Sequence, residues 1–313
     1  RVVRTRSGLL LEDLGSTNGP RLRGRPVTRC RVAIGDVFHV GRSRVAVLGR
    51  LPGRPPVWEF GDWTGAGAEA LDHLRALLRA ADVDAPVLLT GPTCSGKEVA
   101  ASILHTGGAR RGHPFLPLNC ATIEPGLADA ELFGHRPGAF TDARTDRPGA
   151  FLAAGQGTLF LDEIADVAAA VQAKLLRALE RREVRRLGDD RASPVACRVV
   201  AAAHAHLPDL VERGAFRADL LHRLSGVLVS IPPLRERPWD AVAIARRHAR
   251  RERYVLTRDA ESELMAYEWP GNVRELLHTL VRARLAAAQG PVGAAQVALA
   301  LNQAATCTKG RVT

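Results

Sequence analysis

The chain is predicted to be an α/β protein: a parallel sheet covered by helices on both faces, followed by an all-helical segment and preceded by a short all-β segment. Three observations carry this reading. Apolar runs of strand length alternate with helical segments from about residue 68 to residue 231, the pattern that a parallel sheet requires. One of those runs, VLLT at 87–90, passes into the glycine-rich turn GPTCSGKE and then into the helical segment VAASILH, a strand–turn–helix unit. After Pro232 the strand patterns stop and only helical ones continue.

Taken in order, residues 1–50 hold β-prone runs, GLLLEDL, VAIGDVFHV and SRVAVLG, separated by turns rich in Gly, Asn, Pro and Arg, and they read as antiparallel strands. Residues 51–67, LPGRPPVWEFGDWTGAG, read as a linker because of their proline and glycine content. An amphipathic helix is expected over 68–81. The strands VLLT, FLPLNC, TLFLDE, CRVVAAA and VLVSIP then mark the sheet to residue 232. Helices over 239–252, 259–267 and 272–289 are expected to form a lid within 233–301, and 302–313 is read as a tail. Ligands are expected between that lid and the sheet edge.

The turn after the first core strand carries chemistry. Backbone N–H groups from Thr93 through Cys94, Ser95 and Gly96 to Lys97 can converge on anionic oxygens at a helix N-terminus, with Gly91 opening the turn. Lys97 can set its ammonium on β- and γ-phosphates. Sixty-odd residues on, GTLFLDEI ends a buried strand in two carboxylates, where Asp162 can hold a water-coordinated Mg²⁺ and Glu163 can polarise an attacking water. Glu98 stands where a phosphate-binding loop normally places a Ser or Thr hydroxyl for the metal, which excludes most P-loop families. Between the two motifs, ELFGHRPGAFTDA (131–143) sets Phe140 and Thr141 among small residues and glycines, the composition of a loop built to touch a partner.

These motifs resemble those of the AAA+ domain of bacterial enhancer-binding proteins, the ATPases that activate sigma-54 RNA polymerase, over about residues 65–300. That family has GESGTGKE where this chain has GPTCSGKE, so Glu98 is the family's own choice, and GAFTGA where this chain has GAFTDA. LNCA (118–121), GTLFLDE, QAKLLRALE (172–180), FRADLLHRL (216–224), PPLRER (232–237) and WPGNVREL (269–276) also match. The resemblance implies ATP and Mg²⁺ as cofactors, and sigma-54 contact by Gly138, Ala139, Phe140, Thr141, Asp142 and Ala143. It makes Asn119 a restraint on Glu163. It makes Arg217 and Arg223 fingers toward the γ-phosphate of a neighbouring subunit in a head-to-tail ring, expected to be a hexamer, and Arg274 a sensor on the lid. Two positions depart from the pattern. Ala203–His204 replaces the usual Thr-Asn at the end of the sensor strand, so that His204 either donates one hydrogen bond to phosphate or is satisfied by its surroundings. Asp142 replaces the second glycine of the contact loop.

EDLGSTNGPRLRG (12–24) resembles the second half of a forkhead-associated domain. The resemblance implies phosphothreonine-peptide contact near Ser16, Thr17 and Asn18, while the strands bearing that family's phosphate-binding Arg and Ser would lie upstream of Arg1.

The formal charge of +11 invites a nucleic-acid reading, but the basic residues are arginines apart from Lys97, Lys174 and Lys309, a bias expected of GC-rich coding. Scattered cysteines without a CxxC pair point to a reducing cytoplasm and against a disulfide framework or a zinc site. No apolar stretch reaches the length of a membrane span and no signal peptide is visible. The segment after Gln289 is too short for a helix-turn-helix and lacks a basic recognition helix, so direct DNA binding is not expected. Three functions stay open: an ATP-driven remodeller of sigma-54 polymerase, an ATP-binding scaffold of the same fold, and a DNA-binding regulator.

Overall fold

In a computed structural model the chain divides into two units, Arg1–Pro56 and Val57–Thr313. The structure describes residues 2–5, 8–16, 19–22, 25–32, 37–40, 43–46, 54–124, 126–140, 143–204 and 206–309. The first unit is antiparallel, as expected. Strands β1 (Val2–Thr5), β2 (Gly8–Glu12) and β5 (Arg29–Val32) form one sheet; β3 (Pro20–Leu22), β4 (Arg25–Pro26), β6 (Val37–Val40) and β7 (Ser43–Ala46) form another. Among the described residues, Leu11, Val32 and Phe38 form its buried apolar cluster. VAIGDVFHV is therefore not one strand: Val32 ends β5, and Val37 opens β6 in the other sheet.

The expected linker is shorter than 51–67. Val57–Phe60 (β8) and Trp63–Ala66 (β9) pair antiparallel across a Gly61–Asp62 turn and belong to the second unit. Gly61 takes the positive φ that such a tight turn favours. Arg247 then fixes the turn, donating to the Gly61 and Trp63 carbonyls, the Asp62 carboxylate and the Thr64 hydroxyl. The high proline and glycine content hid a hairpin whose stability comes from a helix far along the chain.

Helix α1 (Gly67–Ala81) leads into β10 (Val87–Thr90), α2 (Lys97–Thr106) and β11 (Phe115–Asn119). The short helices α3 (Ala128–Phe133) and α4 (Gly149–Ala153) precede β12 (Thr158–Asp162) and α5 (Ala169–Arg181). A small hairpin, β13 (Glu183–Arg185) and β14 (Ala192–Pro194), comes next. It is followed by β15 (Arg198–Ala203), α6 (Leu207–Glu212), α7 (Ala218–Leu224) and β16 (Val227–Ser230). The sheet order is β11-β12-β15-β10-β16, every pair parallel, as the alternating pattern predicts. Side chains alternate across it: Leu159 and Leu161 pack with Phe151, Leu175 and Leu220 on one face, and Phe160 packs with Leu77, Ile103 and Leu104 on the other. Burial on both faces is why these strands read as continuous apolar runs.

The lid contains α8 (Pro238–Arg251), α9 (Arg258–Ala266), α10 (Asn272–Ala286) and α11 (Ala294–Lys309) around buried Leu234, Leu264, Trp269, Leu276 and Leu280. Pro238 opens α8 at a position where its missing N–H is not needed. Helix α11 makes the expected tail helical over 302–309, and 310–313 lie outside the described residues. Val297 and Ala300 are fully buried in the lid core, so the first half of α11 is held by packing and not by a capping signal visible in the sequence. Among the described residues no helix is long and apolar enough to cross a membrane.

Candidate functional site

Parallel pairing brings the carboxyl ends of the strands to one edge. Asn119 lies opposite Asp162 and Thr90 opposite Ala203, so the glycine-rich loop after β10, the two carboxylates after β12 and His204 after β15 meet there. This is where an open parallel sheet binds ligands.

The loop 91–97 is held from its carbonyl side. Lys97 is buried, and its Nζ donates to the carbonyls of Gly91 at 3.0 Å and Pro92 at 3.2 Å. Asn272 Nδ2 donates to the Thr93 carbonyl at 3.0 Å, the Val273 N–H to Cys94 at 3.1 Å, and Arg237 Nη2 to Ser95. Gly91 and Gly96 take positive φ, and a Cβ at Gly91 would stand 2.3 Å from the Ile231 carbonyl, so that only glycine fits. Cys94 also takes a left-handed conformation, at φ 60°. The Ser95 hydroxyl is buried without a hydrogen-bond partner. Outward-anchored carbonyls, a lysine alongside and an orphaned buried hydroxyl fit a polyphosphate.

Asp162 is half-buried, and its carboxyl is held above the usual range by desolvation and then by the neighbouring Glu163 charge. A divalent cation would relieve both effects, so the donor set fits Mg²⁺. Glu163 adopts a left-handed conformation at φ 53° and donates its N–H to Asp162 Oδ1 at 3.0 Å. Its Oε2 pairs with His204 Nδ1. Asp166 joins them, the three donor atoms lying within 4.8 Å of one another; the sequence reading did not single it out.

Asn119 stands at the end of β11, opposite Asp162. Its Oδ1 caps the following turn by accepting from the Ala121 N–H at 2.9 Å, and the side chain paired with Glu163 is His204. Arg217, at the N-cap of α7, and Arg223, on α7, are exposed: Arg217 grips Asp219 through two bonds of 3.0 and 2.8 Å, and Arg223 reaches Glu180 at 3.4 Å. Arg274 is exposed one residue beyond Val273, whose N–H holds the loop. Glu98 lies in the first turn of α2. A cavity of about 400 Å³ opens beside Ser95 and Gly96, with Trp63, Ile231, Ile244 and Leu277 among its lining residues. It lies between sheet and lid.

In the run 131–143, Glu131 to Phe133 belong to helix α3, with Leu132 and Phe133 in the core, which corrects their reading as loop. Beyond them the chain turns on Gly138 at φ 81°, and the Gly138 N–H donates to the Ala143 carbonyl at 2.7 Å. Phe140 is exposed at 37% and sets its ring edge-on to His135, 4.9 Å between centroids. Ala139 packs beside Gly188. Thr141 and Asp142 lie outside the described residues, as do Thr17 and Asn18. Ser16 donates its hydroxyl to Asp13 at 2.7 Å. The described cysteines Cys30, Cys94, Cys120 and Cys197 are free; burial, with Asp162 nearby, pushes the Cys120 thiol up to about 12.

Residues 64–230 match the family model of the sigma-54 interaction domain, and residues 241–312 that of the AAA+ ATPase lid domain. The nitric oxide reductase transcription regulator NorR1 of Cupriavidus necator is 45% identical over 251 residues, 78% of this chain and 49% of that protein. The hydrogenase transcriptional regulatory protein HoxA of the same organism is 43% identical over 226 residues, 70% of this chain and 46% of that protein. The chain thus spans about half the length of the curated relatives it matches. Among solved structures, NtrX from Brucella abortus in complex with ATP superposes with a TM-score of 0.66 at 30% identity, covering 76% of this chain and 56% of NtrX. Its complex with ADP gives 0.65 at 32%, covering 73% and 53%.

Proposed function

The chain belongs to the family of the sigma-54 interaction domain, and on that premise we propose that it is an ATP-hydrolysing AAA+ unit that drives sigma-54 RNA polymerase toward the open complex. The observation that carries this is the convergence of the anchored loop 91–97 with Asp162 and Glu163 at one sheet edge. Lys97 and the loop amides hold the triphosphate, and Asp162 organises Mg²⁺, which neutralises charge on the β- and γ-phosphates when bound. Glu163 accepts a proton from the attacking water. Arg217 and Arg223, exposed on the surface, serve the neighbouring subunit's γ-phosphate in a head-to-tail ring; Arg274 reads the phosphate from the lid. The 138–143 loop is the polymerase contact, its exposed Phe140 being the apolar anchor. The antiparallel strands of residues 1–50 and the Asp13–Ser16 turn support an FHA-like module there.

A second reading, an ATP-binding scaffold, is favoured by one observation: His204 engages the residue that must activate water. One purified sample separates the two. Hydrolysis of ATP together with capture of sigma-54 in the presence of a transition-state analogue is the expected outcome; ATP binding with neither would select the scaffold.

A further inference from the structure

The carbonyls of residues 91–95 are all taken, and three of the five are taken by the lid. Lys97 accounts for Gly91 and Pro92; Asn272, the Val273 N–H and Arg237 account for Thr93, Cys94 and Ser95. A peptide unit whose carbonyl is pinned outward presents its N–H on the other side, so these contacts set the direction of the amide dipoles that a phosphate meets. The two lid side chains are themselves over-determined. Asn272 is buried, adopts φ 51°, and accepts the Leu234 N–H on Oδ1 at 2.9 Å, which orients its amide so that Nδ2 faces Thr93. Arg237 donates to the Pro232 carbonyl at 3.1 Å and to Asp240 at 3.3 Å. Asp240 in turn accepts the Ala66 N–H of the β8–β9 hairpin at 2.7 Å.

We propose that Arg237 and Asn272 are positioning residues of the phosphate cradle, so that seating of the lid and affinity for phosphate are one coupled equilibrium. The proposal rests on the nucleotide-binding reading and adds to it a mechanism by which lid and loop respond to each other. If phosphate binds the loop better with its carbonyls pinned, phosphate must by the same factor favour the seated lid. The line Ala66–Asp240–Arg237–Ser95 extends this to the hairpin, which thereby becomes a third partner in the equilibrium. A contact that only glued the lid to the sheet would weaken folding without preferring one part of the ligand; a contact that aims the loop acts on phosphates and spares the base and ribose.

The test uses the full 313-residue chain and displacement of a fluorescent ATP analogue by ATP, pyrophosphate and adenosine. Asn272→Asp keeps the acceptor for Leu234 and tolerates positive φ, but loses the donor to Thr93. Arg237→Lys keeps the charge for Asp240 but cannot reach three acceptors at once. Each is expected to weaken ATP and pyrophosphate about tenfold while leaving adenosine unchanged. In the unsubstituted chain, ATP should slow hydrogen exchange at the Val273 amide, and Asn272→Asp should blunt that protection. Folded variants with unaltered phosphate affinity, or an equal loss for adenosine and ATP, would overturn the proposal. Should both variants fail to fold, absence of ATP protection at Val273 in the unsubstituted chain would overturn it alone. No binding of ATP by the unsubstituted chain would instead remove the nucleotide reading on which the proposal stands.

Discussion

The roles proposed for Glu163 and His204 can be tested one side chain at a time. Glu163→Gln removes the carboxylate that accepts the water's proton and leaves the loop untouched. Turnover should fall by about 10²–10⁴ while ATP binding is retained, as read by phosphate release beside nucleotide titration. Unchanged turnover would refute the assignment. His204 pairs with Oε2 of the same carboxylate, so on the proposed role of Glu163 the two engagements would compete. Replacing it by asparagine, the family's residue at this position, should raise turnover severalfold at unchanged nucleotide affinity. A drop to the level of Glu163→Gln would show instead that the imidazole assists hydrolysis.

The loop 138–143 shows how an element is controlled by its base. Arg136 ion-pairs with Asp146 and Asp189, and Arg186 pairs with the same two carboxylates, tying the base of the loop to residues 186–191 next to the β13–β14 hairpin. The Arg136 N–H also donates to the Leu187 carbonyl at 2.9 Å. The Arg191 N–H, and then Arg136, lower the Asp189 carboxyl to about 2 from the usual value of 3.8. Because the folded value is the lower one, this stabilisation is fully present above the ordinary carboxylate range and is lost as pH falls from about 4 through about 2. Asp189→Asn should mimic the acid form at neutral pH, increasing chymotryptic cleavage at Phe140 with little change in ATP hydrolysis. Cleavage as slow as in the unsubstituted chain would mean that the backbone bonds alone hold the base. Phe140→Ala should leave hydrolysis near normal and abolish sigma-54 capture, since the ring lies on the exposed loop and off the phosphate site. Capture that survived it would count against the loop as the polymerase contact.

Assembly can be tested through Arg217 and Arg223, which are exposed and engaged with carboxylates of their own chain. If they complete a neighbour's site, specific activity must rise with protein concentration across the monomer range. Mixing supplies a sharper check. Arg217→Ala and Glu163→Gln should each be inactive alone, yet recover part of the activity together. Recovery arises at interfaces where the Arg217→Ala subunit offers its intact loop and Glu163 to the other subunit's arginine. No recovery in the mixture, with both variants assembled, would place the arginines outside a shared site.

The sheet, the glycine-rich loop, the acidic strand end and the helical lid were all legible in the order of residues. These rest on local rules: apolar runs of strand length, glycines where φ turns positive, and charges where a strand leaves the core. The sequence also marked His204 and Asp142 as departures, although the latter lies outside the described residues. Tertiary structure decided the rest. The β8–β9 hairpin was hidden in a Pro- and Gly-rich stretch because Arg247 and Asp240, more than 170 residues away, supply its anchors. The pairing of Glu163 with His204 follows from β15 lying beside β12, while the Asn119 side chain, on the strand at the other side of β12, accepts from its own turn. Likewise no local pattern ties Arg237 and Asn272 to the phosphate loop. That contact exists only once the lid has folded back over the sheet edge, and hydrogen bonds between segments so far apart leave no periodicity for the sequence to display.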